Sequence, residues 1–301
     1  MPARAYRAYG LVFSSDIAFP DLPRVATRAR PAIRLMASRR RLDANGWRDE
    51  TPRPDSNGRP WLVVSKRRGA FRLRFGDLAD FVVDASGRAI EVYRHRATPM
   101  STLRHLALNQ VLPLMLGHRG RTVLHASAFA MDGRAVALLG PAGAGKSTLV
   151  ASFAAHGWPM MADDAVLLVR RASGLGVVPA YGDVRVWPDT YAMLRGVRKP
   201  VPFHGQPLPL AAVYVLSVAE AGAAVRIDRL SRRDAVIELL QCSFVLDVTD
   251  GGRLLAQFDR LTRDLTLTIS RIAYPRDFGA LARVRDAILE NQRGGGSAAS
   301  D

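Results

Sequence analysis

The nine-residue run Gly140-Pro141-Ala142-Gly143-Ala144-Gly145-Lys146-Ser147-Thr148 constrains this chain more than any other feature. It follows the pattern G-x-x-x-x-G-K-[ST], in which small residues let the backbone turn tightly with its N–H groups facing inward. The pattern requires a buried strand before it and a helix after it. Arg134 to Leu139 reads as that strand. Ser147 to His156 reads as the helix, with Leu149, Val150 and Phe153 on its inner face and Gly157 as its stop. A helix N-terminus aimed into such a loop is an anion cradle, so the expected ligand is a nucleoside polyphosphate. Lysine usage agrees. Among 43 Lys+Arg the lysines are Lys66, Lys146 and Lys199 alone, and a compact ammonium fits between phosphate oxygens where a planar guanidinium does not. The run Gly140 to Thr148 is therefore expected to wrap a nucleotide, with Lys146 at the β/γ-phosphates and Ser147 at Mg²⁺.

A chain of 301 residues has room for two domains. No apolar run approaches the ~18 residues of a membrane span, and the start, Met1 to Arg7, lacks the apolar stretch of a secretory signal. Cys242 is the one cysteine, so a reducing cytoplasm is the expected location and Cys242 itself reads as a small core residue. The net charge of +16 favours an anionic partner. Arg39-Arg40-Arg41 is followed by acidic residues without an aromatic platform, which reads as a solvated loop and argues against nucleic-acid binding. Homo-oligomerisation stays open.

Residues 1–100 read as a β-rich N-terminal domain. Tyr6 to Phe13 is an apolar run, Phe71 to Phe75 alternates with period two, and Ala85 to Arg88 is a hairpin turn between two strands. Leu42 to Pro60 is polar and proline-bearing, a loop. Ser101 to Leu116 reads as an amphipathic helix capped by Ser101 and kinked at Pro113. Thr122 to Phe129 reads as one strand, and Met131-Asp132-Gly133 as a tight hairpin. Residues 101–290 are expected to form the catalytic α/β domain and residues 291–301 a disordered tail.

After the loop helix, Met160-Met161-Ala162 leads into Asp163-Asp164. Of two such carboxylates one can accept a hydroxyl proton while the other orients Mg²⁺. Consecutive strand residues face opposite ways, so only one should touch the reacting centre unless the strand bulges. A strand-end cap is the bland alternative. No LSGGQ-type or N-K-x-D motif is present, and Val177 to Ala180 and Val184 to Trp187 read as further strands, which favours a mixed-sheet kinase over an ordinary ATPase or GTPase.

Together, Leu124-His125-Ala126-Ser127-Ala128, the Gly140–Thr148 run and Ala162-Asp163-Asp164 resemble the HPr kinase/phosphorylase catalytic domain, most closely the HPr-kinase-like serine kinases of lasso-peptide and related ribosomal-peptide pathways. The resemblance covers about residues 100–290. It implies an α/β fold with a mixed sheet like that of phosphoenolpyruvate carboxykinase, beside a smaller β-rich N-terminal domain. It also implies ATP- and Mg²⁺-dependent phosphorylation of a seryl hydroxyl on a peptide or protein. By the same resemblance Asp163 is the general base, Asp164 its neighbour at the metal, and His125 a support that hydrogen-bonds an aspartate or the phosphoryl oxygens. A satisfied core histidine is the other reading of His125. The stretch Tyr181 to Asp189 carries no glutamate where the HPr enzymes have one, with Asp183 the nearest substitute, which argues against phosphorylase activity and against HPr as substrate. Arg185 and Arg276 are candidate phosphate contacts. A small-metabolite kinase and a nucleotide-sensing module with slow ATP hydrolysis are the alternative functions.

Overall fold

The computed structural model describes residues 3–26, 30–49, 52–54, 58–172, 174–182, 201–264 and 267–295. Its contacts divide the chain into two units, Met1–Gly120 with Val245–Asp250, and Arg121–Phe244 with Gly251–Asp301. Both contain a mixed sheet, and the chain is a mixed α/β protein.

The first unit carries β1 (Arg4–Ala8), β2 (Leu11–Ser15), β3 (Ile33–Ala37), β4 (Arg48–Asp49), β5 (Arg53–Pro54), β6 (Pro60–Arg67), β7 (Ala70–Phe75), β8 (Ala79–Val83) and β9 (Ala89–Arg94). Their order is β1-β2-β3-β9-β8-β7-β6-β4, with β5 also on β6. The Tyr6 to Phe13 run is not one strand. Tyr9 and Gly10 both take positive φ, 52° and 66°, and fold it into a hairpin. That turn brings Tyr6 against Phe13, with Phe19 on both at centroid distances of 5.4 Å. The hairpin turn at Ala85 to Arg88 forms as expected between β8 and β9. The Leu42–Pro60 loop contains the two short strands β4 and β5, both antiparallel to β6.

Helical residues follow as α1 (Met100–Leu106), a π-helical turn over Ala107–Val111, and α2 (Leu112–His118). The helix starts one residue earlier than expected, after Pro99, and Ser101 makes no cap. The π-helical turn ends just before Pro113, which lies in the first turn of α2, where proline's missing N–H is tolerated. The hydroxyl of Tyr9 donates to the Leu108 carbonyl inside that turn, 3.0 Å away, and this helical segment belongs to the first unit rather than beginning the second. The late segment Val245–Asp250 joins the first unit too. The Arg53 guanidinium donates to the carbonyls of Val245 and Leu246, and Lys66 pairs with Asp247 at 2.7 Å.

In the second unit lie β10 (Thr122–Leu124), β11 (Ala126–Met131), β12 (Arg134–Leu139), α3 (Lys146–Ala155), β13 (Met160–Ala162), β14 (Val166–Arg171), β15 (Gly174–Val178), β16 (Leu208–Ala219), β17 (Arg226–Arg229), α4 (Arg232–Gln241), α5 (Gly251–Asp264), β18 (Ile269–Pro275) and α6 (Ala280–Gly295). The sheet order is β10-β14-β15-β16-β12-β11-β13, with β18 on β16 and β17 on β18. The pairs β12–β16 and β16–β18 are parallel and their neighbours antiparallel. Asp132 and Gly133, at φ 48° and 71°, make the two-residue turn from β11 to β12. The expected strand from Thr122 to Phe129 is broken at His125, where the chain leaves its pairing with β14 and takes up pairing with β12. Helix α3 packs Leu149, Val150 and Phe153 inward, and Phe153 stacks on Phe129 at 4.0 Å. The expected strand Val184 to Trp187, Asp183 and Arg185 lie outside the described residues, as does the chain after 295. Among the described residues no helix is long and apolar enough to cross a membrane.

Candidate functional site

Strand β12 delivers the chain into the glycine loop, and each glycine there has a steric reason. A Cβ at Gly140 would meet the Ala144 Cβ and the Leu216 carbonyl at 3.3 Å. Gly143 and Gly145 take φ of 78° and 97°, where a side chain is strained. Gly145 ends the loop and α3 begins at Lys146, so the first amides of the helix face the loop interior.

Lys146 is 6% exposed, and its ammonium donates to the carbonyls of Gly140 at 2.7 Å and Pro141 at 3.1 Å. Burial lowers its pKa, while Cys242, Asp164 and Asp163 favour the charged form. His125 stands 3.3 Å away, in the break between β10 and β11. Its Nδ1 lies 2.9 Å from the main-chain oxygen of Asp164, an atom that only accepts, so Nδ1 carries the proton. Nε2 is then the lone pair facing Lys146. Burial, reinforced by the Lys146 charge, pushes the His125 pKa down to about 4, which keeps the ring neutral at pH 7. The imidazole thus hydrogen-bonds an aspartate, as one of the two expected contacts has it, but through the Asp164 main chain and not a carboxylate.

The aspartates occupy a bend after β13, not the strand. Asp164 sits at φ 64° and the Ala165 amide donates to the Asp163 carbonyl at 2.8 Å. The kink releases the pair from strand alternation. Asp163, 4% exposed, accepts from the Ser127 hydroxyl at 2.5 Å and the Ser147 hydroxyl at 3.0 Å, both on Oδ1. Asp164 lines a cavity of about 370 Å³ with His125, Lys146 and Ser147 on one flank and Tyr274, Arg276 and Phe278 on another. The structure therefore brings His125, Lys146, Ser147, Asp163 and Asp164 together. Among the described residues no three His, Cys, Asp or Glu side chains group as a metal cage. The close oxygen pair of Ser147 and Asp163 is the hard donor chemistry that Mg²⁺ takes alongside substrate phosphates and its own waters.

Three participants were missed or misread in the sequence. Ser127 is one, although its place two residues after His125 is a usable signal. Tyr274, whose hydroxyl donates to the Ala144 carbonyl at 2.7 Å, left none. Cys242 is half-buried beside the loop instead of in the core: its carbonyl accepts from the His125 amide, the Gly140 backbone bonds its thiol, and burial raises its pKa. Of the two candidate arginines, Arg276 does reach the cavity.

A protein-family model described as "SynChlorMet cassette protein ScmC" matches residues 95–248, slightly more than half of the chain. The chain belongs to this family. The ScmC match takes in His125, Ser127, the glycine loop, both aspartates and Cys242, and stops short of Tyr274 and Arg276. No curated protein matches. Among solved structures, the HPr(Ser) kinase/phosphatase from Coxiella burnetii is similar at 14% identity and a TM-score of 0.33, covering 58% of this chain and 96% of that one. A likeness so weak carries no argument about this chain.

Proposed function

We propose that this chain is an ATP-dependent kinase that phosphorylates a serine hydroxyl on a peptide or protein. The observation that carries the reading is the meeting of Ser147 and Asp163 at 3.0 Å beside a glycine loop with a buried lysine at its centre. Loop amides and Lys146 hold the β/γ-phosphates, the phosphate oxygens replacing the Gly140 and Pro141 carbonyls as lysine partners. Ser147 and Asp163 hold Mg²⁺, which when bound neutralises charge on the phosphate oxygens. The acceptor oxygen bonds to the γ-phosphorus as the bond from that phosphorus to its bridging oxygen breaks, and ADP leaves with the electron pair. The seryl proton passes to a carboxylate.

The geometry favours a division of labour opposite to the sequence expectation. Asp163 is buried and already accepts two hydroxyls, one of them from the metal-holding serine. Asp164 lines the cavity that an acceptor would enter. Asp164 is therefore the proton acceptor, and His125, through the Asp164 carbonyl, its positioning residue. Support for a peptide acceptor is the net charge of +16, which suits an acidic chain, and membership of a family described as a cassette protein, which fits work on a dedicated partner.

The test is transfer of label from γ-labelled ATP to acidic serine peptides, read by mass spectrometry. Asp164→Asn should cut transfer by about 10²-fold or more with ATP affinity kept, whereas Asp163→Asn should raise the Mg²⁺ concentration needed for half-maximal rate. Transfer that survives Asp164→Asn and dies in Asp163→Asn at saturating Mg²⁺ would return the base to Asp163. Label found on small metabolites, or released as free phosphate with no acceptor labelled, would replace the peptide-kinase reading.

A further inference from the structure

The two flanks of the glycine loop differ in chemistry, and this inference rests on the nucleotide reading above. Lys146 and Ser147 face His125 and Asp163. The earlier part of the loop faces the end of β18 instead. There the Tyr274 hydroxyl, 4% exposed as a residue, bonds Ala144 and would lie 2.8 Å from a Cβ at Gly145. A guanidinium nitrogen of Arg276 lies 3.5 Å from the Cβ position of Gly143, on the crown of the loop. Asp277 also lines the cavity, but its Oδ1 accepts the Ala280 amide at 2.7 Å, which holds it to the start of α6. Between that carboxylate and the helix stands Phe278, 40% exposed on the cavity wall, with buried Leu281 lining the same wall.

A nucleoside triphosphate must present its reacting phosphorus to the flank with Asp164. Its base is then left to the flank that carries an aromatic ring and an aliphatic side chain. A ring exposed at the wall of a cavity of about 370 Å³ offers a face on which a purine can stack. We propose that Phe278 stacks the base of a purine nucleoside triphosphate bound in this cavity, that Arg276 contacts its phosphates, and that Tyr274 positions the loop. These three residues lie beyond the stretch that the ScmC family model matches.

Calorimetry on the full chain in Mg²⁺, with ATP and inorganic tripolyphosphate as separate probes, tests this. Phe278→Ala should weaken ATP by about tenfold and leave tripolyphosphate within about twofold, and Phe278→Trp should keep ATP affinity. Arg276→Ala should weaken both probes alike. Unchanged ATP affinity in Phe278→Ala, or equal loss of both probes, overturns the stacking assignment while nucleotide binding stands. A wild-type chain that binds neither probe overturns both this inference and the reading beneath it.

Discussion

Protonating His125 would set a second cation 3.3 Å from the Lys146 ammonium, in a place with little water to screen either. Burial first, and this repulsion second, bring its pKa from 6.5 down to about 4. The unfolded chain, with its imidazole near the ordinary value, binds this proton first as pH drops, so stability rises with pH across the interval. The stabilisation is complete above pH 6.5 and lost progressively toward pH 4, with an upper bound of about 3 kcal/mol. Denaturant unfolding at a series of pH values measures it: the wild-type midpoint should fall more steeply between pH 7 and 4.5 than that of His125→Gln. Parallel profiles would mean that the imidazole takes up its proton as readily in the folded chain as in the unfolded one. The same hydrogen bonds explain why a neutral histidine is useful here, since an Nδ1–H fixed on a carbonyl sets the direction in which Asp164 points.

Strain in the glycine loop belongs to a whole element, because β12, α3 and the end of β18 must all close on it. Gly145→Ala would put a side chain at φ 97° and a methyl group 2.8 Å from the buried Tyr274 hydroxyl. The backbone conformation alone costs about 1–3 kcal/mol, so thermal unfolding should show Tm lowered by several degrees. Adding Tyr274→Phe should recover only the contact part of the loss. A Gly145→Ala chain as stable as wild type would show that the loop can rearrange. This element was legible in the sequence because its parts have local reasons: small residues for the turns, an apolar strand before them and an apolar helix after them. The breaks were not legible. Tyr9–Gly10 and His125 both interrupt apolar runs without proline or a polar cluster, and it is strand pairing that makes the chain change partner there. Tyr274 is hidden for a related reason, since it meets Ala144 across 130 residues of sequence through the parallel pairing of β16 and β18. The aspartates fall between these cases: their place after the loop helix was readable, but the bend that frees them from alternation was not.

Across the whole molecule the charge is carried by 43 Lys+Arg against 27 Asp+Glu, and Arg39, Arg40 and Arg41 are all exposed. If the acceptor is an acidic peptide, as proposed, a field of that size would act on it before any contact forms, and so on association and not on the transfer step. Salt separates the two. Raising ionic strength from about 0.1 M to 1 M shortens the screening length from roughly 10 Å to 3 Å, which cancels steering by exposed arginines and leaves contacts inside the buried site largely intact. For an acidic serine peptide, kcat/KM should therefore fall about tenfold or more over that range, while kcat at saturation changes little. A peptide of the same length made neutral by Gln for Glu should show a flat profile. Equal salt dependence for both peptides would assign the effect to ATP and Mg²⁺ binding, and the basic surface would then have no part in choosing the acceptor.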